Sequence, residues 1–347
     1  MMKELEQLPI PLLLWYRENA RVLPWRSDPT PYRVWISEIM LQQTRVAAVL
    51  DYYRRFLEAV PTVADLAALP EDALMKLWQG LGYYSRARNL QKAARQIVEN
   101  FGGVFPNTYD EIRSLAGVGD YTAGAVASIA FGLPVPAVDG NVLRVVTRIT
   151  GDTGDITTPA VKRRITEALR QIIPTEAPGQ FNQAMMELGA TVCLPNGAPL
   201  CDRCPGAEFC RARLEDRIEQ LPVKAPKKAR RVEQRRVYLI FSDRGVALHR
   251  RPDKGLLAGL WQPAAWEKAL TRDELTAALA GIGVQAALDE PLPPAKHVFT
   301  HKIWELGGWK GTAPACALPD GYVWAAPEDL AEVYPVPNAF GAYVKAK

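Results

Sequence analysis

Four of the five cysteines, Cys193, Cys201, Cys204 and Cys210, fall within residues 193–210, while Cys316 stands alone. The N-terminus is a poor export signal: Glu4 and Glu6 lie beside Lys3, and Pro9 and Pro11 interrupt a short apolar stretch. In such a chain, thiols clustered around a CxxC core point to a metal-ligand set rather than to disulfides. Pro195, Gly197, Pro199, Pro205 and Gly206 between the ligands let the backbone wrap one centre. Four thiolates suit tetrahedral zinc and a [4Fe–4S] cluster alike.

A second chemical site is Leu115-Ala116-Gly117-Val118-Gly119-Asp120-Tyr121-Thr122-Ala123-Gly124. Its spacing predicts a hairpin between helices, which reads equally as a plain glycine-containing turn or as an anion-binding one. Gly117 and Gly119 allow a tight turn with amides outward, and the next helix aims its positive N-terminal end the same way, which suits phosphate. Two carboxyls also stand out. Glu38 has Val34 at i−4 and Leu41 at i+3 on a predicted helix; on pattern alone such a glutamate is more often a solvated surface group, but partial desolvation there would raise its pKa towards that of a general acid at neutral pH. Asp139 follows Pro136 and precedes the helical run Val142, Val145, Val146, Ile149. It reads as an N-cap, where amides and the helix dipole favour the ionised carboxylate.

These groups must be positioned by helices. Periodicity and Gly/Pro punctuation predict them over Tyr32 to Ala48, Val63 to Ala68, Glu71 to Gln79, Arg86 to Asn100, Tyr109 to Ser114, Tyr121 to Phe131, Val142 to Ile149, Pro159 to Ile172 and Gly179 to Val192. Beyond a basic stretch the texture changes. Arg236 to Ser242 and Val246 to Arg250 read as strands, Arg272 to Ala280 as a helix and Val298 to Lys310 as β. The expected architecture is therefore a mainly α domain over 1–215, a linker over 216–235 and a smaller α/β domain over 236–347.

The chain has 347 residues, 48% hydrophobic and 23% charged, which excludes a disordered or fibrous protein and allows two cores. The net charge of +4 is unevenly placed: residues 224–236 hold seven basic side chains against Glu233, a net +6, leaving −2 elsewhere. The longest uncharged run, Tyr121 to Val138, contains Gly124, Gly132, Pro134 and Pro136. It reads as a buried helix and an extended segment rather than a bilayer span, so no membrane association and a cytoplasmic location are expected.

Several motifs together resemble one family. They are Leu23-Pro24-Trp25-Arg26, Val34 to Thr44 (VWISEIMLQQT), Gly80-Leu81-Gly82-Tyr83-Tyr84, the hairpin, Val138-Asp139-Gly140-Asn141-Val142, Phe181 to Met186 (FNQAMM) and the cysteine cluster. In this order they resemble the helix-hairpin-helix DNA glycosylases, and within them the adenine DNA glycosylase (MutY) family. The resemblance implies a helix-hairpin-helix glycosylase domain with a [4Fe–4S] cluster loop over 193–210. Seven residues separate Cys193 from Cys201 where six are usual, so the extra residue is expected to bulge within the Pro/Gly loop.

The resemblance also implies roles. Glu38 would protonate N7 of adenine, ionised Asp139 would stabilise the oxocarbenium-like state, and Tyr121 would assist the carboxyls while Asn141 positions them. No metal is needed at the reacting carbon. Strand-cutting relatives carry a lysine where this chain has Tyr121, and a phenol cannot form their Schiff base, so an enzyme that is monofunctional or has at most weak lyase activity is expected. Trp25, Arg26 and Gln183 match the adenine pocket. Gln43 and Tyr83 match residues inserted beside the estranged 8-oxoguanine, Thr44 and Leu81 match further substrate-binding positions, and Gly117, Val118 and Gly119 match backbone-binding residues. His297-Val298-Phe299-Thr300-His301, with Gly255 to Trp261, is similar to a Nudix-like lesion-reading domain in which Phe299, Thr300 and His301 would sense 8-oxoguanine. Leu270 to Gly283 offers only Asp273 and Glu274 for magnesium, so hydrolysis of pyrophosphates is not expected. The expected partner is duplex DNA holding adenine opposite 8-oxoguanine or guanine, bound by a monomer. An endonuclease III-like glycosylase/lyase and a silent iron–sulfur DNA-binding protein are the competing readings, opposed by Tyr121 and by the two carboxyls respectively.

Overall fold

The structure, a computed structural model, describes residues 3–226, 229–266, 270–281 and 283–344. Lys227 and Lys228 of the basic stretch lie outside the described residues. The chain forms two compact units, one of residues 1–68 and 89–226, the other of 69–88 and 227–347.

The first unit is helical. Its elements are α1 (Lys3–Glu6), α2 (Pro9–Asn19), α3 (Pro24–Ser27), α4 (Pro31–Leu41), α5 (Val46–Ala59), α6 (Val63–Ala68), most of α8 (Ser85–Phe101), α9 (Tyr109–Ser114), α10 (Asp120–Phe131), α11 (Gly140–Thr150), α12 (Pro159–Ile172), α13 (Pro178–Thr191) and α14 (Arg211–Leu214). Pro9 and Pro11 are part of a helix. They stand in the first turn of α2, where a missing N–H costs nothing. The helix expected over Tyr32 to Ala48 is two helices, because the chain turns after Leu41 and Gln43 adopts a φ of +58°. One core joins α1, α2, α11, α12 and α13 through Leu5, Leu12, Val146, Ile165, Phe181 and Leu188.

The second unit is built on a mixed six-stranded sheet. Its strands are β1 (Arg231–Ser242), β2 (Gly245–Arg250), β3 (Trp261–Trp266), β4 (Ala287–Val298), β5 (Lys302–Thr312) and β6 (Tyr322–Ala325), in the order β4-β5-β1-β3-β2-β6. The β1–β5 pair is parallel and the others are antiparallel. Strand alternation gives two apolar faces: Val237 and Leu239 join one core with Trp304 and Phe340, while Tyr238 and Ile240 join another with Leu275 and Leu279 of α15 (Arg272–Gly281). Two more helices, α7 (Glu71–Leu77) and α16 (Pro327–Glu332), complete the unit. The sequence placed residues 69–88 in the N-terminal helical domain, whereas the structure assigns them to the sheet unit. Within that unit Lys76 donates to Leu330 O (2.8 Å), Gln79 to Val336 O (2.8 Å) and Arg88 to Ala258 O (2.5 Å).

Candidate active site

In the helical unit, α3, α4, α10, α11 and α13 converge on an open cleft of about 950 Å³, at the upper end of the ~300–1,000 Å³ usual for small-molecule sites. It is lined by Trp25, Arg26, Glu38, Gln43, Thr44, Gly117, Gly119, Tyr121, Asp139, Asn141 and Gln183. Motifs far apart in sequence thus share one cavity. Val118 is buried beside it, its carbonyl accepting from Arg113 Nη1 at 2.9 Å.

The hairpin depends on glycine at position 117. Its φ is +74°, and a Cβ there would fall 2.5 Å from Asn89 Cβ, so any side chain would meet both backbone strain and a clash. The turn delivers Gly119 as N-cap of α10, and Tyr121 in the first turn of that helix reaches Glu38.

Glu38 lies on the buried face of α4 and is 6% exposed. The Tyr121 hydroxyl donates to Glu38 Oε2 and also lies 3.1 Å from Met186 Sδ. Burial pushes the Glu38 carboxyl up to about 7; the Tyr121 hydrogen bond opposes this, the charge of Asp139 adds to it, and Arg26 opposes it. Burial likewise keeps the Tyr121 phenol neutral.

Asp139 caps α11, accepting from Val142 N (2.8 Å) and from Asn141 Nδ2 (2.7 Å). The sequence suggested that capping sets its charge, but burial outweighs the cap and moves this carboxyl above its usual value. Asn141 is itself held: Arg144 Nη2 donates to its Oδ1 (2.9 Å) and to Gly189 O (2.7 Å), and Arg144 Nε donates to Cys193 O (2.8 Å). Helix α13 can approach because residue 189 is glycine; a Cβ would stand 2.6 Å from Asn141 Cβ.

Sequence reasoning passed over three contributors. Glu187, 1% exposed, accepts from Arg21 Nε (2.6 Å), Arg21 Nη2 (2.9 Å) and Arg26 Nη2 (2.7 Å). Burial alone would raise its pKa, but the two guanidiniums hold it below the usual range. Tyr16 donates to Gln183 Oε1 at 2.9 Å. The signals were present: Arg21 stands just before the Leu-Pro-Trp-Arg motif and Glu187 one residue after Met186.

The four clustered cysteines line an apolar cavity with Val145, Ile149, Leu188 and Ile218. Among the described residues, no three His, Cys, Asp or Glu side chains come together as ligands of a single ion would. Arg148 Nη1 is 3.3 Å from Cys193 Sγ, and Cys210 Sγ faces Arg148 O at 3.3 Å. Burial pushes the Cys204 thiol up to about 12 and raises Cys201 and Cys210.

The remaining candidates belong to the sheet unit. Phe299, Thr300 and His301 form the tip joining β4 and β5, where Phe299 N donates to Lys302 O at 2.9 Å; the continuous β segment expected from Val298 is broken here. Phe299 packs edge-on to Trp304 at 4.8 Å, whereas Thr300 is exposed and its Oγ1 lies 2.7 Å from the Tyr83 hydroxyl. Tyr83 has a φ of +47° and is 45% exposed. Its loop is pinned by Arg86, which donates to Leu81 O (3.1 Å) and Gly82 O (3.2 Å) and lies between the Trp78 and Tyr83 rings. Leu81 is buried, so its side chain serves the loop's core. Glu274 is engaged with Thr271 at the start of α15, accepting from Thr271 N at 2.8 Å.

Two family models match the chain: the HhH-GPD superfamily of base excision DNA repair proteins over residues 36–171 and the NUDIX domain over 236–346. The adenine DNA glycosylase of Rattus norvegicus is 36% identical over 385 residues, an alignment covering 92% of this chain and 74% of that protein. The chain belongs to the adenine DNA glycosylases. Among solved structures, a thermostable thymine-DNA glycosylase matches with a TM-score of 0.56 and 27% identity, over 61% of this chain and 98% of that one. A trapped endonuclease III–DNA covalent intermediate matches at 0.54 and 27%, over 62% and 98%. This adenine DNA glycosylase therefore shares a fold with a thymine-DNA glycosylase and with endonuclease III, and among the described residues no helix is long and apolar enough to cross a membrane.

Proposed function

We propose that this adenine DNA glycosylase removes adenine mispaired with 8-oxoguanine or guanine in duplex DNA, with Glu38 as general acid. The observation that carries this reading is a buried carboxyl, poised near neutrality, on the same cleft as the hairpin glycines and Asp139. The stacked base must first be extruded, at a cost of a few kcal/mol. Tyr83, exposed on a strained and pinned loop, suits the wedge that fills the gap.

Protonated Glu38 transfers its proton to N7 of the adenine in the cleft. The N9–C1′ bond then breaks with its electron pair leaving on the base, so adenine departs neutral and the sugar becomes an oxocarbenium ion. Asp139 stabilises that cation with its negative charge, held by Asn141 and Val142 N. Water adds to C1′, and its proton passes to the Glu38 carboxylate. Tyr121 keeps Glu38 in place and offers no amine, so the product is an intact strand with an abasic site.

Cys193, Cys201, Cys204 and Cys210 suit a [4Fe–4S] cluster: all four donors are sulfur, they share one cavity, and Arg148 offers positive charge to a thiolate. The cluster would tie the loop after α13 to α11 and supply no group to the reaction. At the β4–β5 tip, Thr300 would read the lesion, its hydroxyl oriented by Tyr83.

The test is an excision assay on duplexes carrying adenine opposite 8-oxoguanine, guanine or cytosine, each with and without later alkali. Strand breaks at adenine that need alkali, fastest opposite 8-oxoguanine, are expected. Breaks without alkali at a pyrimidine, or no excision of adenine, would overturn the proposal.

A further inference from the structure

Tyr16 lies behind the cleft on α2, outside the carboxyl machinery, yet its hydroxyl is joined to Gln183, a residue that lines the cleft. An amide side chain can present either its oxygen or its NH2 group, and these are opposite signals to a base. What surrounds Tyr16 decides between them. Arg26 lies over the Tyr16 ring, 5.5 Å from the centroid, held there by Glu187 and by the carbonyl of Arg21, to which Arg26 Nη1 donates at 3.1 Å. A phenol oxygen shares its lone pair with the ring and is a weak acceptor, and a cation over the ring weakens it further while making the O–H a better donor. Tyr16 therefore donates to Gln183 Oε1, and the amide is left with N–H groups for the cleft.

We propose that Tyr16 is a positioning residue for base recognition: by holding Gln183 Oε1 it fixes the amide as a hydrogen-bond donor, so that the cleft selects a purine with an unprotonated ring nitrogen at that point. Adenine offers such acceptors at N1 and N3; guanine matches it at N3 but carries hydrogen on N1, so a contact at N1 would also separate the two purines. The inference rests on the proposed function, in which Gln183 faces the extruded base. Glu187 serves the same end at one remove. One turn from Gln183 on α13, it anchors the guanidinium that polarises Tyr16.

The test is a double-mutant cycle on the full-length protein. Single-turnover excision of adenine opposite guanine and duplex affinity are measured for the unsubstituted protein, Tyr16→Phe, Gln183→Ala and the pair. Tyr16→Phe keeps the ring beneath Arg26 and removes only the hydroxyl. Its rate is expected to fall about tenfold with duplex affinity unchanged, and to bring no further loss in the Gln183→Ala background. A second arm needs no variant: duplexes carry 1-deazaadenine or 3-deazaadenine, each with one ring acceptor replaced by carbon. One of the two should reproduce the Tyr16→Phe loss in the unsubstituted protein and add nothing in Tyr16→Phe. Multiplicative losses in the cycle, an unchanged rate in Tyr16→Phe, or both analogues excised as fast as adenine would overturn the proposal. If the unsubstituted protein fails to excise adenine at all, the functional reading itself falls, and this inference with it.

Discussion

The Tyr121 hydroxyl donates to Glu38 Oε2, joining the first turn of the helix after the hairpin to the buried face of α4. The turn suited to DNA phosphate and the proposed proton donor are thereby one mechanical unit. This bond favours the ionised form of Glu38 while burial favours the protonated form, and burial prevails. Tyr121→Phe should therefore move the alkaline limit of activity upward, by up to about one pH unit. A pH–rate profile checks this, and a downward shift would contradict it.

Glu38 also links pH to stability. Its pKa is raised from an ordinary 4.5 to about 7 in the folded protein, so its contribution is fully present below 4.5 and lost as pH rises through 7. Replacing it by a neutral isostere removes that loss. Glu38→Gln should be more stable than the unsubstituted protein at pH 8, by on the order of 3 kcal/mol, and similar to it at pH 4. Denaturant midpoints at the two pH values measure the difference.

At the β4–β5 tip, Thr300→Ala removes a hydroxyl and leaves the Tyr83 phenol without that partner. The preference for 8-oxoguanine over guanine should fall about five- to tenfold, the worth of one hydrogen bond, with less change in the excision rate opposite guanine. Tyr83→Phe should show the same preference, and the pair should be non-additive. Competition binding with the two duplexes tests this, and an unchanged ratio would remove Thr300 from lesion reading.

Gly189→Ala places a Cβ 2.6 Å from Asn141 Cβ and 3.1 Å from its Cα. Such overpacking costs about 1–3 kcal/mol and would push Asn141 from Asp139, so both melting temperature and excision rate should drop. A variant that melts lower but excises normally would show that Asn141 need not be held where it is.

For the cysteine site, the purified protein should carry about four irons per chain, and Cys204→Ser should lose most of them, together with the visible absorbance. Iron analysis decides the matter, and stoichiometric zinc in place of iron would contradict the cluster.

Of the cleft, only the cap at Asp139 was legible from local pattern; the glycine turn reads equally as a plain helix turn and Glu38 as a solvated surface carboxyl until the family resemblance singles them out, because burial is set by helices distant in sequence. β4 was invisible before Val298 because Pro291, Pro293 and Pro294 suit only an edge strand, and β4 is at the sheet edge with two irregularities in its register. Glu187 and Tyr16 were missed because their roles depend on Arg21, Arg26 and Gln183, which reach them only after α2, α3 and α13 pack. The grouping of residues 69–88 with the sheet joins segments distant in sequence, and its hydrogen bonds run to backbone carbonyls, which carry no sequence signature.

The central claim is that excision needs a proton on Glu38, and the single-turnover rate of adenine removal between pH 5 and 9 tests it most directly. The rate should decline above a pKa near 7 in the unsubstituted protein, and Glu38→Gln should lose activity at every pH while still binding the duplex. A rate that stays level to pH 9, or normal excision by Glu38→Gln, would contradict the account.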